Sequence, residues 1–146
     1  MEKKLSIYIL LLFAFCAQSC KQDKITIEPA KEVLTTEIPS SFMDFYQKFH
    51  ANPEFQLEHI IFPLEGQIHN EETGQRVPIK WKKENWVLHR PFDDHGGTFQ
   101  RNYVNFDDII IEKISDRSGT FSMERRFSPI NGTWHLIYYS EFKMKE

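Results

Sequence analysis

Cysteine is nearly absent. The 146-residue chain has two, Cys16 and Cys20, so nothing beyond Cys20 can close an internal disulfide and stability has to come from packing. Basic charge is not in excess: 18 Lys and Arg face 21 Asp and Glu, which argues against nucleic acid as a partner. The longest apolar run, Leu5 to Ala17, has 13 residues, and a bilayer core takes about 20. No G-x-S-x-G, phosphate-loop or H-E-x-x-H pattern occurs, so no nucleophile, phosphate cradle or zinc protease site is signalled. Internal repeats and low-complexity segments are missing too. Aromatic residues are abundant instead, with 13 Phe, 5 Tyr and 3 Trp, and each large ring buries about 150–250 Å2.

The apolar run is preceded by Met1-Glu2-Lys3-Lys4 and followed by Ala17-Gln18-Ser19-Cys20. Basic start, short apolar stretch and small-residue exit read as a secretory signal. The cysteine at the exit makes it resemble a bacterial lipoprotein signal, cut before Cys20 and lipidated on that thiol. The alternative is an ordinary secretory signal with an incidental cysteine. Under the lipoprotein reading residues 1–19 are the signal peptide, and Lys21 leans toward the outer membrane, facing the periplasm or the surface. Residues 20–40, with two prolines and alternating charges, form a tether, within which Ile25-Thr26-Ile27 has the composition of a short strand. The mature net charge is about −4, from 16 basic and 20 acidic residues.

Residues 41–146 form the domain. Phe42, Phe45, Tyr46 and Phe49 fall at i, i+3, i+4 and i+7, the buried face of a helix, with Ser40 or Ser41 as its cap and Asp44 in its first turn. Asn52-Pro53 opens a second, short helix to about His59. Ile60 to Leu64 begins a strand, Asn70 to Gly74 is a turn, and Val77 to Trp81 returns, with Pro78 restricting it to an edge or a strand start. Residues 82–89 fit helix or strand, and 90–97 form a loop. Four strands follow: 99–106, 109–115, 120–128 and 133–142. Asn131-Gly132 is a two-residue hairpin turn. Its register pairs Phe121 with Phe142, Met123 with Ser140, Arg125 with Tyr138 and Phe127 with Leu136, placing the apolar faces together. The helical stripe is expected to pack on Phe121, Phe127, Leu136 and Tyr138.

Aromatic helices followed by a meander ending Asn-Gly-x-Trp look like the nuclear transport factor 2-like cone fold, an α+β class with helices on a strongly curved, mainly antiparallel sheet. Three features resemble an uncharacterised family of small bacterial lipoproteins with that fold: Phe-x4-Ile-Ile-Phe-Pro-Leu over 55–64, the Trp81-x4-Trp86 pair and Gly132-x-Trp134. The resemblance covers residues 40 to 142 and implies a pocket enclosed by sheet and helices. Superfamily members include isomerases, dehydratases and many non-catalytic binding domains, and no enzyme's catalytic set maps onto this chain.

The register puts Arg125 on the apolar face, where a charge needs a partner or a pocket. Three accounts follow. Arg125, Tyr138 and Ser140 line a concave pocket for an anionic or polar ligand, or Arg125 simply pairs with an internal carboxylate, the usual fate of a buried ion, or sits where the face opens to water. His89-Arg90-Pro91-Phe92-Asp93-Asp94-His95 gathers metal-ligand types without a recognised spacing and reads as a solvated loop at one end of the sheet. No cofactor or metal is expected. The expected function is that of a lipid-anchored envelope protein binding a small ligand or an envelope protein, its partners being the membrane through the lipid and no nucleic acid, with the oligomeric state open, a dimer included. The alternative is a small isomerase or hydrolase using Tyr138, Arg125 and a carboxylate.

Overall fold

The computed structural model describes residues 34–35 and 37–143. The signal segment, Cys20 and Ile25-Thr26-Ile27 lie outside the described residues. Elements run β1 (Leu34–Thr35), α1 (Ser40–Ala51), α2 (Pro53–Glu58), β2 (Ile60–His69), β3 (Arg76–Trp81), a 3-10 turn (Lys83–Asn85), β4 (Phe99–Phe106), β5 (Ile109–Asp116), β6 (Phe121–Ile130) and β7 (Thr133–Lys143). The seven strands form one curled sheet in the order β1-β4-β5-β6-β7-β2-β3. All neighbours are antiparallel except β2 and β7, which run parallel.

Helix α1 forms where the aromatic stripe predicts, and Phe42, Phe45, Tyr46 and Phe49 are all buried. Its cap differs from expectation. Pro39 occupies the cap position, neither Ser40 nor Ser41 makes a side-chain cap bond, and Asp44 falls beyond the first turn. Proline fixes a backbone angle already suited to helix entry, so no hydroxyl is needed there. At α2 the Asn52 side chain accepts from the Phe55 amide (3.0 Å) ahead of Pro53. Leu34 and Thr35 pair with Phe106 and Asn105, so the domain begins before residue 41. Residues 82–89 are neither helix nor strand beyond the single 3-10 turn. Pro78 lies in β3, an edge strand as expected, since its missing donor would interrupt a central ladder.

Asn131 and Gly132 have φ of 52° and 81°, the left-handed pair that a two-residue hairpin turn requires. Near the turn the expected register holds: Ile130 pairs with Thr133, Pro129 with Trp134 and Phe127 with Leu136. Beyond it the ladder shifts by one. Arg126 pairs with Tyr138, Arg125 with Tyr139 and Glu124 with Ser140. Ile137 is the extra residue of a β-bulge, which bends the strand and increases its twist. The bulge corrects the expected pairings of Arg125 with Tyr138, Met123 with Ser140 and Phe121 with Phe142. Tyr138, Ser140 and Phe142 move to the outer face, and Tyr139 and Glu141 take the inner one.

The core lies between α1 and the inner face. Phe42 packs edge-on against Phe127 (5.3 Å between centroids), Trp134 (5.3 Å) and Tyr103 (6.1 Å), and Phe49 packs edge-on against Phe127 (5.6 Å). The stripe therefore meets Phe127 as expected. Phe121 sits farther along, against Phe99 (5.6 Å), and Tyr138 is behind the sheet.

Candidate functional site

Helices cover one end of the inner face, and the loop of residues 86–97 covers the other. Between that loop and the sheet lies an open cavity of about 290 Å3 lined by Leu88 to Asp93, His95, Phe99, Ile114, Phe121, Met123, Arg125 and Tyr139. Strand alternation explains the β6 contribution: Phe121, Met123 and Arg125 share the inward face with Phe127.

Arg125 is 2% exposed, and Glu112, directly opposite on β5, is 1% exposed. Arg125 Nε stands 2.8 Å from Glu112 Oε2. The contact lies off the N–H axis, so Coulomb attraction rather than an aligned hydrogen bond holds the pair. The other carboxylate oxygen accepts from the Tyr46 hydroxyl (2.6 Å) and, at 3.5 Å, from that of Tyr103. Burial and the neighbouring carboxylate push both phenols up, Tyr103 to about 12. The simpler expectation for Arg125, an internal carboxylate partner, is met by Glu112.

Two histidines complete the cluster. His50 Nδ1–H donates to the Tyr46 carbonyl (2.9 Å), leaving Nε2 to accept from Arg125 Nη1 (2.5 Å). The second Nη1 proton points to His89 Nδ1 at 3.4 Å, which puts the His89 proton on Nε2. Burial first, then the Arg125 charge, pushes His50 down to about 4 and His89 down to about 2. Both are therefore neutral at physiological pH. Arg125 Nη2 and His89 Nε2 have no protein hydrogen bond among the described residues, and both side chains line the cavity.

The loop is held by Gln56, which is buried under it. Its Nε2 donates to the carbonyls of Phe49 (2.8 Å) and His89 (2.9 Å), and its Oε1 accepts from the His89 amide (2.7 Å) and Trp86 Nε1 (3.3 Å). His89 is thereby turned inward, against the Tyr139 ring (4.7 Å between centroids) and the Trp86 ring (4.6 Å), so the loop is not simply solvated. The Tyr139 hydroxyl donates to Glu141 (2.7 Å), and burial raises its pKa. Gly66, paired with Tyr139, allows β2 to approach: a Cβ there would collide with the Tyr139 carbonyl oxygen.

The three residues expected to share a pocket are not brought together. Arg125 is on the inner face. Tyr138 is on the outer face with the Arg126 guanidinium over its ring (4.2 Å). Ser140 lies opposite Glu124, in an outer-face groove with Lys113 and Phe142. No group of three metal-ligand side chains suited to an ion occurs among the described residues.

Among solved structures, an NTF2-like protein from Bacteroides fragilis superposes with a TM-score of 0.54 over 74% of this chain and 50% of its own, at 14% identity. This chain has an NTF2-like fold. It spans about half the length of the Bacteroides protein. An NTF2-like protein from Cytophaga hutchinsonii is similar over 70% of this chain and 95% of its own (16% identity, TM-score 0.40), and a DUF4783 family protein from Bacteroides ovatus over 77% and 100% (12% identity, TM-score 0.40). No protein-family model matches the sequence, and no curated protein does.

Within the NTF2-like domain, sequence reasoning found Arg125 but missed Glu112, Tyr139, His50 and Gln56. Glu112 had a signal: it stands between Ile110 and Ile114 on the alternating face of β5, the same anomaly that singled out Arg125. His50 and Gln56 had none, because each follows an apolar stripe at a spacing that an exposed residue also satisfies.

Proposed function

We propose that this is a lipid-anchored cell-envelope protein whose NTF2-like domain binds a small ligand, rather than turning one over, in the cavity beneath the 86–97 loop. The observation that carries the reading is Arg125: buried, permanently charged, and lining a cavity with Nη2 unpaired. Glu112 is engaged by Arg125 and Tyr46, so it is not free to move a proton. The enzyme alternative drew on Tyr138 beside Arg125. Tyr139 stands there instead, with its hydroxyl given to Glu141. The anchor rests on the first twenty residues and their resemblance to a lipoprotein signal.

Two measurements test the two halves. Cys20→Ala should release the protein from the membrane fraction or leave an unprocessed precursor, because the acyl chains contribute about 0.8 kcal/mol per buried methylene. Wild-type protein that fractionates as soluble and carries no lipid by mass spectrometry would refute the anchor. Native mass spectrometry of protein purified from its own envelope should show a non-covalent adduct, lost on denaturation and absent from a variant with the cavity filled by Met123→Trp. An adduct retained by that variant would place the ligand elsewhere.

A further inference from the structure

The lining of the cavity restricts what it holds. Arg125 is neutralised once, by Glu112. Arg101, on the same face of the sheet, is a second cation. Its guanidinium lies over the rings of Phe92 (4.7 Å), Tyr103 (5.2 Å) and Tyr46 (5.8 Å), and it forms no ion pair among the described residues. Arg90 and Asp93 also line the cavity and Glu141 shares the inner face, so these cations are matched by carboxylates and selectivity lies in which polar groups are left unpaired rather than in net charge. Two donors in the wall lack a protein acceptor among the described residues, Arg125 Nη2 and the Nε2–H of His89, while the Tyr139 hydroxyl proton is already given to Glu141. A pair of unmet donors suits an acceptor group. A carboxylate offers two acceptor oxygens to these two donors, and the apolar remainder of the lining disfavours a wholly polar anion such as phosphate. At the mouth, Asp93 is turned to its neighbour, its carboxylate accepting from the His95 amide (2.9 Å).

The rest of the lining is apolar: Phe92, Phe99, Ile114, Phe121 and Met123. The volume, about 290 Å3, equals roughly ten waters and stands at the small end of ligand pockets, which run about 300–1,000 Å3. One ring or a short alkyl chain fits this volume. We propose that the ligand is a small monocarboxylate with an apolar body, its carboxylate on Arg125 and His89 and its body among Phe92, Phe99, Phe121 and Met123. This rests on the binding reading above and adds the chemical class.

The test is calorimetric titration of the purified full chain with phenylacetate and octanoate, with phenylacetamide, octanamide and inorganic phosphate as controls. Both acids should bind saturably, and the amides about tenfold to a hundredfold more weakly, since a hydrogen bond to a charged group contributes about 1.5–3 kcal/mol. Phosphate should not compete. Met123→Trp should abolish binding. Arg125→Met alone strands Glu112, so the charge is removed with the double variant Arg125→Met/Glu112→Leu, which should bind acid and amide equally. Amides that match the acids in wild type, with Met123→Trp still abolishing both, would overturn the carboxylate assignment and leave the cavity reading standing. Acid binding unchanged by Met123→Trp would overturn both. Phosphate competing as well as the acids would remove the role of the apolar body. No binding of either acid would refute the proposed class, and the native adduct would then judge the cavity reading alone.

Discussion

Arg125 is the bulkiest side chain the fold buries completely, and its worth to stability depends on its partner. Removing one member of a buried ion pair strands the other charge at about 3–5 kcal/mol, whereas replacing both with apolar groups is often neutral. Arg125→Met should therefore lower stability by about 3–5 kcal/mol, and Arg125→Met/Glu112→Leu should restore most of it, read from urea midpoints of both. Equal losses in single and double variants would show that shape, not charge, matters at this position. The histidines add a pH dependence. Their folded pKa values, about 4 for His50 and about 2 for His89, lie below the ordinary 6.5. Between those limits the unfolded chain binds more protons, so stability rises with pH. It is complete above about 6.5 and declines as pH falls toward 4. His50→Gln/His89→Gln should flatten that slope while retaining acceptors for Arg125. A denaturation midpoint independent of pH from 7 down to 5 in the wild type would contradict the buried neutral tautomers.

At the scale of the elements, periodicity was enough for most of the fold. The aromatic stripe located α1, Asn52-Pro53 located α2, and β4 begins and ends where the sequence predicts. Long amphipathic segments and φ-positive turn residues are local signals, and local signals survive without tertiary context. The bulge at Ile137 is not local: alternation runs through Leu136, Ile137 and Tyr138 with no break that one strand alone reveals. That single residue moved Tyr138 and Ser140 out of the expected pocket and put Tyr139 in. The loop was illegible for another reason, because its position is set by Gln56, 33 residues away from His89. Gln56→Leu leaves the His89 amide and Trp86 Nε1 without their acceptor, each unpaired buried group costing about 1–3 kcal/mol. Amide exchange at residues 86–89 should accelerate while exchange in β5 and β6 stays slow. Uniform acceleration across the sheet would mean that Gln56 supports the whole core rather than the loop.

The sheet is joined by a pairing of strands far apart in sequence. β2 runs parallel to β7, pairing Glu65 with Tyr138 and Ile68 with Glu141, and β3 to β6 lie between the two in sequence although none separates them in the sheet. Such long-range pairing pays loop-closure entropy before it gains contacts, and sheet-dominated domains of this kind fold in about milliseconds to seconds. Truncating Phe42, buried where α1 meets the sheet, should cost about 3–5 kcal/mol. Reductant, by contrast, should leave the thermal midpoint unchanged, since residues 34–143 contain no cysteine. A shift on reduction would point to a bridge through Cys16 or Cys20.

Ile137 has a consequence for how this chain can change over time. It is one residue more than the β6–β7 ladder uses, and Leu136 and Tyr138 already face consecutive partners on β6. Its deletion would leave every inner pair in place: Phe127 with Leu136, Arg125 with Tyr139. What a deletion removes is the bend. A related chain lacking this position would keep the same buried charges on a flatter sheet, with a different space beneath the loop. Capacity of the cavity and chemistry of its floor can thus be inherited separately, one through length at a single site and the other through substitution.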